Sequence, residues 1–220
     1  MKIVDQSVRI LSPVTKGEAL RQLGLAEYAG RNCYASQNKI TEESYETFLA
    51  SLIKRGHGSP LEFAEMAVEI YTSRDVMAEI TRHRHASFAI RSQRYVKEDK
   101  DGDIAFIRPA FWTSDPFLTQ RYTATRAWES AMSSAESVYN YLLHDCAMAP
   151  QDARKVLPNS TATNICMKAN LREWRHIIAL RSAPGAYQEM RQMIELLILE
   201  MKKLFPPFLI EDVAYRDKGE

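Results

Sequence analysis

Between Arg82 and Arg94 the chain reads Arg-His-Arg-His-Ala-Ser-Phe-Ala-Ile-Arg-Ser-Gln-Arg, with four arginines, two histidines and no acid. The formal net charge of the whole chain is only +1, so this excess is local. A guanidinium is planar, offers five N–H donors and stays charged at any working pH. A cluster of them suits phosphate or carboxylate groups held at fixed positions. The interleaved Ser, Ala, Phe and Ile are residues for packing and close approach. The competing reading is that these arginines pair with some of the 28 acids elsewhere and decorate a solvated surface, as most charge runs do. More cations stand further along: Arg154 before Val156-Leu157-Pro158, and Arg172 and Arg181 after Asn170. On one helix Arg172 and Arg181 are about two and a half turns apart, hence on opposite sides, and cannot both clamp one small anion. Two ligands or two subunits are suggested. His57 stands between Gly56 and Gly58, where the backbone can approach a flat ligand closely. Ser92 has the look of a nucleophile, but no His-Asp pair is evident to activate it, and it reads better as a ligand hydroxyl. Cys33, Cys146 and Cys166 are three in number with no Cys-x-x-Cys spacing. Neither a disulfide framework nor a thiolate zinc centre is indicated; no metal is expected, and the compartment reads as reducing.

These residues need a scaffold, and 220 residues with 45% hydrophobic and 26% charged content suit one globular domain, residues 1–220. The near-neutral balance argues against a general nucleic-acid or membrane-surface binder. The first residues lack a long apolar run and no stretch reaches transmembrane length, so a cytoplasmic protein is expected. A first helix is predicted over residues 17–31, with Leu20, Leu23, Leu25 and Tyr28 as its apolar residues. A second follows a Thr41 cap with Glu42 and Glu43 in its first turn, carries Tyr45, Phe48, Leu49, Leu52 and Ile53, and closes at Lys54-Arg55-Gly56. Residues 66–71 suit a strand, and Ser73 can cap a helix to about His83, which would start the basic run on a rigid element. A polar turn is predicted at 99–103 and a strand at 104–107. A long helix should run from Asp115, with Pro116 at its first position, to about His144, with Trp128 and Met132 as core or subunit contacts. A short helix from Pro150 ends at Leu157-Pro158, and two more cover 170–182 and 186–205, split by Pro184-Gly185. The fold class is α+β, an antiparallel sheet flanked by helices.

The segments also have an order: His57-Gly-Ser-Pro-Leu-Glu62; Arg82-His83-Arg84, seven residues and Ser92; Gln93-Arg94-Tyr95; Ala153-Arg154-Lys-Val-Leu-Pro158; Asn170-Leu-Arg172; and Leu180-Arg181. This ordered set resembles the flavin-dependent thymidylate synthases, the family marked by Arg-His-Arg, seven residues and Ser, over about residues 31–190. The resemblance implies an enzyme that methylates the 5-carbon of dUMP, with methylenetetrahydrofolate as carbon donor and NADPH as reductant of a bound FAD. By matching positions, Ser59, Arg82, His83, Arg84, Asn170, Arg172 and His176 would hold FAD, with His57 near the flavin ring and the folate. Ser92, Gln93, Arg94 and Arg154 would hold dUMP, with Arg82 and Glu79 also on the nucleotide. Arg181 would face the uracil ring as the catalytic cation. The family also implies a homotetramer with shared active sites, and no nucleic-acid or membrane partner is expected. The absence of an activating base beside any cysteine is consistent, since a hydride-first route needs no thiolate attack on the ring. Three positions depart from the family pattern: Glu79 where glutamine is frequent, Ile90 where Gln or Glu is common, and Gly185 where a histidine is usual. Two other readings are a divergent homologue that methylates or hydroxymethylates another pyrimidine nucleotide, and a non-enzymatic single-stranded nucleic-acid platform built on the Arg and aromatic residues of 82–95.

Overall fold

The computed structural model describes residues 1–99 and 102–214. Thirteen elements follow in chain order: β1 (Lys2–Val4), β2 (Ser7–Ser12), α1 (Lys16–Asn32), α2 (Ser44–Lys54), β3 (Glu65–Ser73), α3 (Arg74–Ile80), β4 (Ala86–Ile90), β5 (Ala105–Ile107), α4 (Thr119–Asn140), α5 (Pro150–Ala153), β6 (Ala162–Asn170), α6 (Leu171–Arg181) and α7 (Gln188–Leu204). A four-stranded antiparallel sheet has the order β2-β3-β6-β4, and β1 pairs parallel with β5 in a separate two-stranded ladder. The long strands alternate as half-buried strands must: Met66, Val68, Ile70 and Thr72 on β3, and Thr163, Ile165, Met167 and Ala169 on β6, are buried. The α+β expectation holds. Of the polar turn expected at 99–103, residues 100 and 101 lie outside the described residues; the backbone N–H of Gly102 donates to the Asp99 carbonyl at 3.0 Å.

Two compact units emerge, each built from separated segments. Unit 1 takes Met1–Ser7, Tyr71–Arg82 and Ala89–Ile165, and unit 2 takes Val8–Ile70, His83–Phe88 and Cys166–Glu220. In unit 1, Met132 and Tyr139 of α4 pack with Ile104, Phe106, Leu143 and Ala153, and Trp128 lies against this cluster, as expected for core residues. The α4 helix starts later than the Asp115-Pro116 signal implied. Asp115 Oδ1 accepts from the Phe117 N–H at 2.9 Å and closes a local turn, so the helix begins at Thr119. Its far end passes into a π-helical turn over Tyr141–Asp145.

Unit 2 is mainly helical. Leu23 and Ala26 of α1, Leu49 and Leu52 of α2, Trp174, Ile177 and Ile178 of α6, and Met190, Met193, Ile194 and Leu197 of α7 are all buried. Gly30 lets α1 approach α2: a Cβ there would stand 2.8 Å from the Phe48 ring. A capping box starts α1, with Thr15 accepting from the Glu18 N–H and the Glu18 carboxylate accepting from the Thr15 N–H. The expected Thr41 cap of α2 is replaced. Ser44 Oγ accepts from the Thr41 N–H at 2.8 Å and donates to buried Glu27 at 2.7 Å, so the turn precedes the helix and α2 begins at Ser44. Gly56 closes α2 with φ 76°, as its sequence signal required.

The basic run itself is placed differently from expectation. Ser73 precedes α3, but its hydroxyl donates to the Asp75 carboxylate instead of capping the backbone. The helix ends at Ile80, three residues short of His83, and Ala86–Ile90 forms β4. The arginines therefore flank a strand: Arg82 and Arg84 enter it and Arg91 and Arg94 leave it.

Candidate functional site

In unit 2 the chemistry gathers along α6. Asn170 caps this helix, its Oδ1 accepting from the Glu173 N–H at 2.8 Å, which fixes Glu173 in the first turn. Glu173, Ile177 and Arg181 then follow at intervals of four and share one helix face. His83 packs against that face and is only 6% exposed. Its Nε2 accepts from Arg181 Nε at 3.1 Å, and its Nδ1 lies 3.4 Å from Glu173 Oε1. An acceptor at Nε2 and a donor at Nδ1 describe the neutral Nδ1–H tautomer. Burial, then the Arg181 charge, holds the His83 pKa below the ordinary 6.5, with Glu173 pulling the other way. His176 meets the His83 ring edge-on, centroids 5.9 Å apart. Ligand atoms of His83, Glu173 and His176 fall within 4.8 Å of one another, a spacing a metal ion could use. Arg181, however, places a fixed cation on one of those nitrogens, and the cluster is built as a hydrogen-bond relay.

Glu173 and His176 also line a cavity of about 530 Å³ with Glu62, His85, Asn170 and Arg172. Arg172 donates to Glu62 at 2.6 Å and lies over Gly58, where an added Cβ would stand 3.2 Å from its Nε. Gly58 thus provides the room this guanidinium occupies. His57 and Ser59 are exposed on either side of it, and His57 Nδ1 lies 3.3 Å from the Tyr34 hydroxyl. Of the residues expected at a cofactor, Asn170, Arg172 and His176 share the cavity wall, whereas His57 and Ser59 do not line it. His85 and Glu62 line it without having been singled out; the neighbouring motifs contain both, but only the fold brings them together.

In unit 1 the residues expected at the nucleotide flank β4: Glu79 and Arg82 precede it, Ser92, Gln93 and Arg94 follow it, and Arg154 comes after α5. Arg91 turns to Glu98 at 3.4 Å, and Arg74 reaches the other Glu98 oxygen at 3.8 Å, so this buried carboxylate serves two guanidiniums. The Glu98 N–H donates to the Tyr139 hydroxyl at 3.1 Å. Burial lowers the Arg74 pKa, and the charges of Arg154 and Arg91 act in the same direction against Glu98. Neither Arg74 nor Glu98 stood out in the sequence, where each is one charge among many. Arg94 lies over the Tyr95 ring at 5.4 Å, its N–H donating to Ser92 Oγ at 3.2 Å. Gln93 is buried, and among the described residues its Nε2 has no hydrogen-bond partner. Arg154 donates from Nε to the Gln151 carbonyl at 3.2 Å. Glu79 is half-buried at the end of α3, and its carbonyl accepts from the exposed Arg82 N–H at 3.3 Å. Of the four arginines of the run, Arg91 is the one paired with a carboxylate among the described residues, and that carboxylate is buried. Among the described residues, Arg82, Arg84, Arg94 and Arg154 have no carboxylate within ion-pair distance. Cations left uncompensated in this way can receive an anionic ligand.

The family model described as thymidylate synthase complementing protein matches residues 19–207. A probable flavin-dependent thymidylate synthase of Mycobacterium phage L5 is 35% identical over 203 residues, which cover 87% of this chain and 82% of the phage protein. The flavin-dependent thymidylate synthase of Mycobacteroides abscessus is 36% identical over 194 residues, 83% of this chain and 76% of its own. Among solved structures, the UMP/dUMP methylase PolB from Streptomyces cacaoi, bound with 5-Br dUMP, superposes with a TM-score of 0.75 at 22% identity, covering 95% of each chain. The flavin-dependent thymidylate synthase of Helicobacter pylori complexed with FAD and dUMP gives 0.71 at 21% identity, covering 96% of this chain and 100% of its own. At that identity the two structures speak for the fold.

Proposed function

The chain belongs to the flavin-dependent thymidylate synthase family, and on that premise we propose that it converts dUMP to dTMP by reductive methylation, using FAD, methylenetetrahydrofolate and NADPH. The observation that carries the reading is the state of the arginines. In an acid-free run of the family's pattern only Arg91 is engaged by a carboxylate, while Arg82, Arg84 and Arg94 remain available to anions.

The residues present fit FAD. The unit 2 cavity offers two imidazoles, an amide and the Arg172 guanidinium, which is seated over Gly58 and paired with Glu62, with Glu173 as a further acceptor on the wall. Asn170, Arg172 and His176 would hold the cofactor there, with Arg82, Arg84, Ser59 and His57 as further contacts. His83 would complete this set from behind the cavity wall, with its Nε2 facing Arg181 and its Nδ1 facing Glu173. FAD, when bound and reduced, would supply the hydride of the reductive methylation. Ser92, Gln93, Arg94 and Arg154 would hold the dUMP phosphate and orient the nucleotide, with Arg82 and Glu79 beside them. Arg181 would stand at the uracil ring, where a fixed cation stabilises the negative charge that develops on the ring as its 5-carbon becomes nucleophilic.

We read the chain as one catalytic domain that works in the cytoplasm as a homotetramer, each complete site drawing on more than one subunit. The opposed positions of Arg172 and Arg181 on α6 support a divided site, and among the described residues no helix is long and apolar enough to cross a membrane. A relaxed choice of pyrimidine nucleotide is the second reading, favoured by the carboxylate at Glu79 and the apolar Ile90. The test is direct: purified protein should show a flavin absorption spectrum and release tritium from 5-labelled dUMP only with methylenetetrahydrofolate and NADPH. Absence of both signals after reconstitution with FAD defeats the proposal, and equal turnover of UMP or dCMP favours the second reading.

A further inference from the structure

We propose that Glu98 is a resident counter-anion of the phosphate pocket: a buried carboxylate that holds Arg74 and Arg91 without a close hydrogen bond to either, and that competes with a phosphate monoester for them. The proposal rests on the reading of Ser92, Gln93, Arg94 and Arg154 as the nucleotide's phosphate contacts, and it brings Glu98, Arg74 and Arg91 to that pocket. All of these residues lie in unit 1. Their arrangement starts from the backbone. Tyr139, fully buried on α4, accepts from the Glu98 N–H at 3.1 Å, and the carboxylate of the next residue, Asp99, lies 2.7 Å from His144 Nε2. Held in this way, the Glu98 carboxylate reaches the residues that lead out of β4, with only 3% of its side chain exposed.

This is not an ordinary buried ion pair. Such pairs offset the cost of desolvation through close hydrogen bonds, at about 2.7–2.9 Å when both groups are charged. Here the separations are 3.4 Å to Arg91 and 3.8 Å to Arg74. Glu98 Oε1, Arg74 Nε and Gln93 Nε2 are buried and, among the described residues, have no hydrogen-bond partner. Most buried polar groups are paired, so two open donors in this segment call for an acceptor that the chain itself does not supply. Burial lowers the Arg74 pKa, Glu98 opposes it, and the charges of Arg154 and Arg91 lower it further, so three guanidiniums share one carboxylate. That excess suits a dianion. A phosphate monoester carries about −1.5 to −2 at neutral pH and three strong acceptor oxygens, against a single charge and two oxygens for Glu98. The phosphate therefore takes the donors when it arrives. Until then Glu98 keeps neighbouring guanidiniums from repelling each other, at the cost of weaker nucleotide binding.

Calorimetric titration of flavin-loaded protein with dUMP and with deoxyuridine, on wild type and Glu98→Gln, tests this. The carboxamide keeps the shape of the side chain and removes its charge. dUMP should bind roughly tenfold more tightly to the variant, because a released guanidinium completes one more charge-assisted hydrogen bond to phosphate, whereas deoxyuridine should bind as it does to wild type. Inorganic phosphate should likewise raise the Tm of the variant by more than that of wild type. Unchanged or weaker dUMP binding in folded Glu98→Gln, an equal gain for dUMP and deoxyuridine, or the same phosphate-induced rise in both proteins overturns the competition and leaves Glu98 a structural residue. Should that variant fail to fold, Glu98→Asp decides, because it keeps the charge but withdraws it by one methylene. A smaller gain in dUMP affinity is then expected, and no gain overturns the proposal. Wild-type protein that binds dUMP no better than deoxyuridine removes the underlying phosphate reading, and the role of Glu98 with it.

Discussion

Arg154 and Arg181 carry the same group but meet charge at different times. In the proposed site the phosphate charge that Arg154 would face exists before reaction, whereas the ring charge that Arg181 would face develops only during it. Interactions stronger in the transition state raise turnover, and those equal in both states mainly change binding. Arg181→Ala should therefore lower tritium release at saturating dUMP roughly 100-fold or more, while flavin reduction by NADPH continues; Arg154→Ala should chiefly raise KM. Near-normal release from the Arg181 variant would leave that residue structural. A companion measurement concerns the nucleotide. Charge-assisted bonds contribute about 1.5 to 3 kcal/mol each, so dUMP should bind far more tightly than deoxyuridine, and equal affinities would remove Ser92, Arg94 and Arg154 from the phosphate. The cations themselves were legible in the sequence because an acid-free arginine run is conspicuous in a chain of net charge +1. Their partners were not. Glu98, which takes up Arg74 and Arg91, and Glu173, which turns His83 inward, are set by tertiary proximity, and nothing local distinguishes them from other acids.

The α6 helix carries both Arg181 and Glu173, and its anchoring is a property of the element. Arg175 donates through both Nη atoms to Asp212, at 2.8 and 2.7 Å, and also to the Leu209 carbonyl, tying α6 to the segment after α7. The Arg175 hydrogen bond holds the Asp212 carboxyl below its usual value of 3.8. A carboxylate whose folded pKa is depressed contributes stability above its unfolded pKa and loses it as pH falls through the folded one. Asp212→Asn should thus lower Tm at pH 7, and the gap to the wild type should close as pH drops below about 3.9; a gap independent of pH would show that the carboxylate charge contributes nothing. Helices α1, α2, α6 and α7 were readable in advance because each buries an apolar stripe at helical spacing. Strand β6 escaped notice, since two of its four inward residues are Thr163 and Ala169, which blur the alternation. Strand β4 lies inside the basic run, where charge masks the pattern, and mostly exposed residues give it no apolar face to read. The start of α4 was misplaced because an Asp-Pro pair that opens helices also closes turns, and here Asp115 bonds locally.

At the scale of the whole molecule the question is where one active site obtains its parts. Arg154 belongs to unit 1, where it donates to the Gln151 carbonyl, and Arg181 to unit 2, where it donates to His83. If the site of the proposed homotetramer takes Arg181 from one subunit and Arg154 from another, the two variants, both silent at dUMP concentrations far below the KM of Arg154→Ala, can rescue each other at those concentrations. A mixed tetramer of Arg181→Ala and Arg154→Ala chains contains some sites in which the subunit donating Arg181 is the Arg154 variant and the subunit donating Arg154 is the Arg181 variant. Such a site holds both wild-type side chains. Random exchange of equal amounts makes each condition half-probable, so about a quarter of the sites should be intact, a consequence of closed symmetry with shared interfaces. Dissociating and reassociating the mixed variants should recover tritium release toward about a quarter of the wild-type level, and light scattering should give four times the protomer mass. A site built within one chain predicts no recovery at any mixing ratio. If the mass is tetrameric and activity stays absent, assembly would be confirmed while the division of these two arginines between subunits would be refuted.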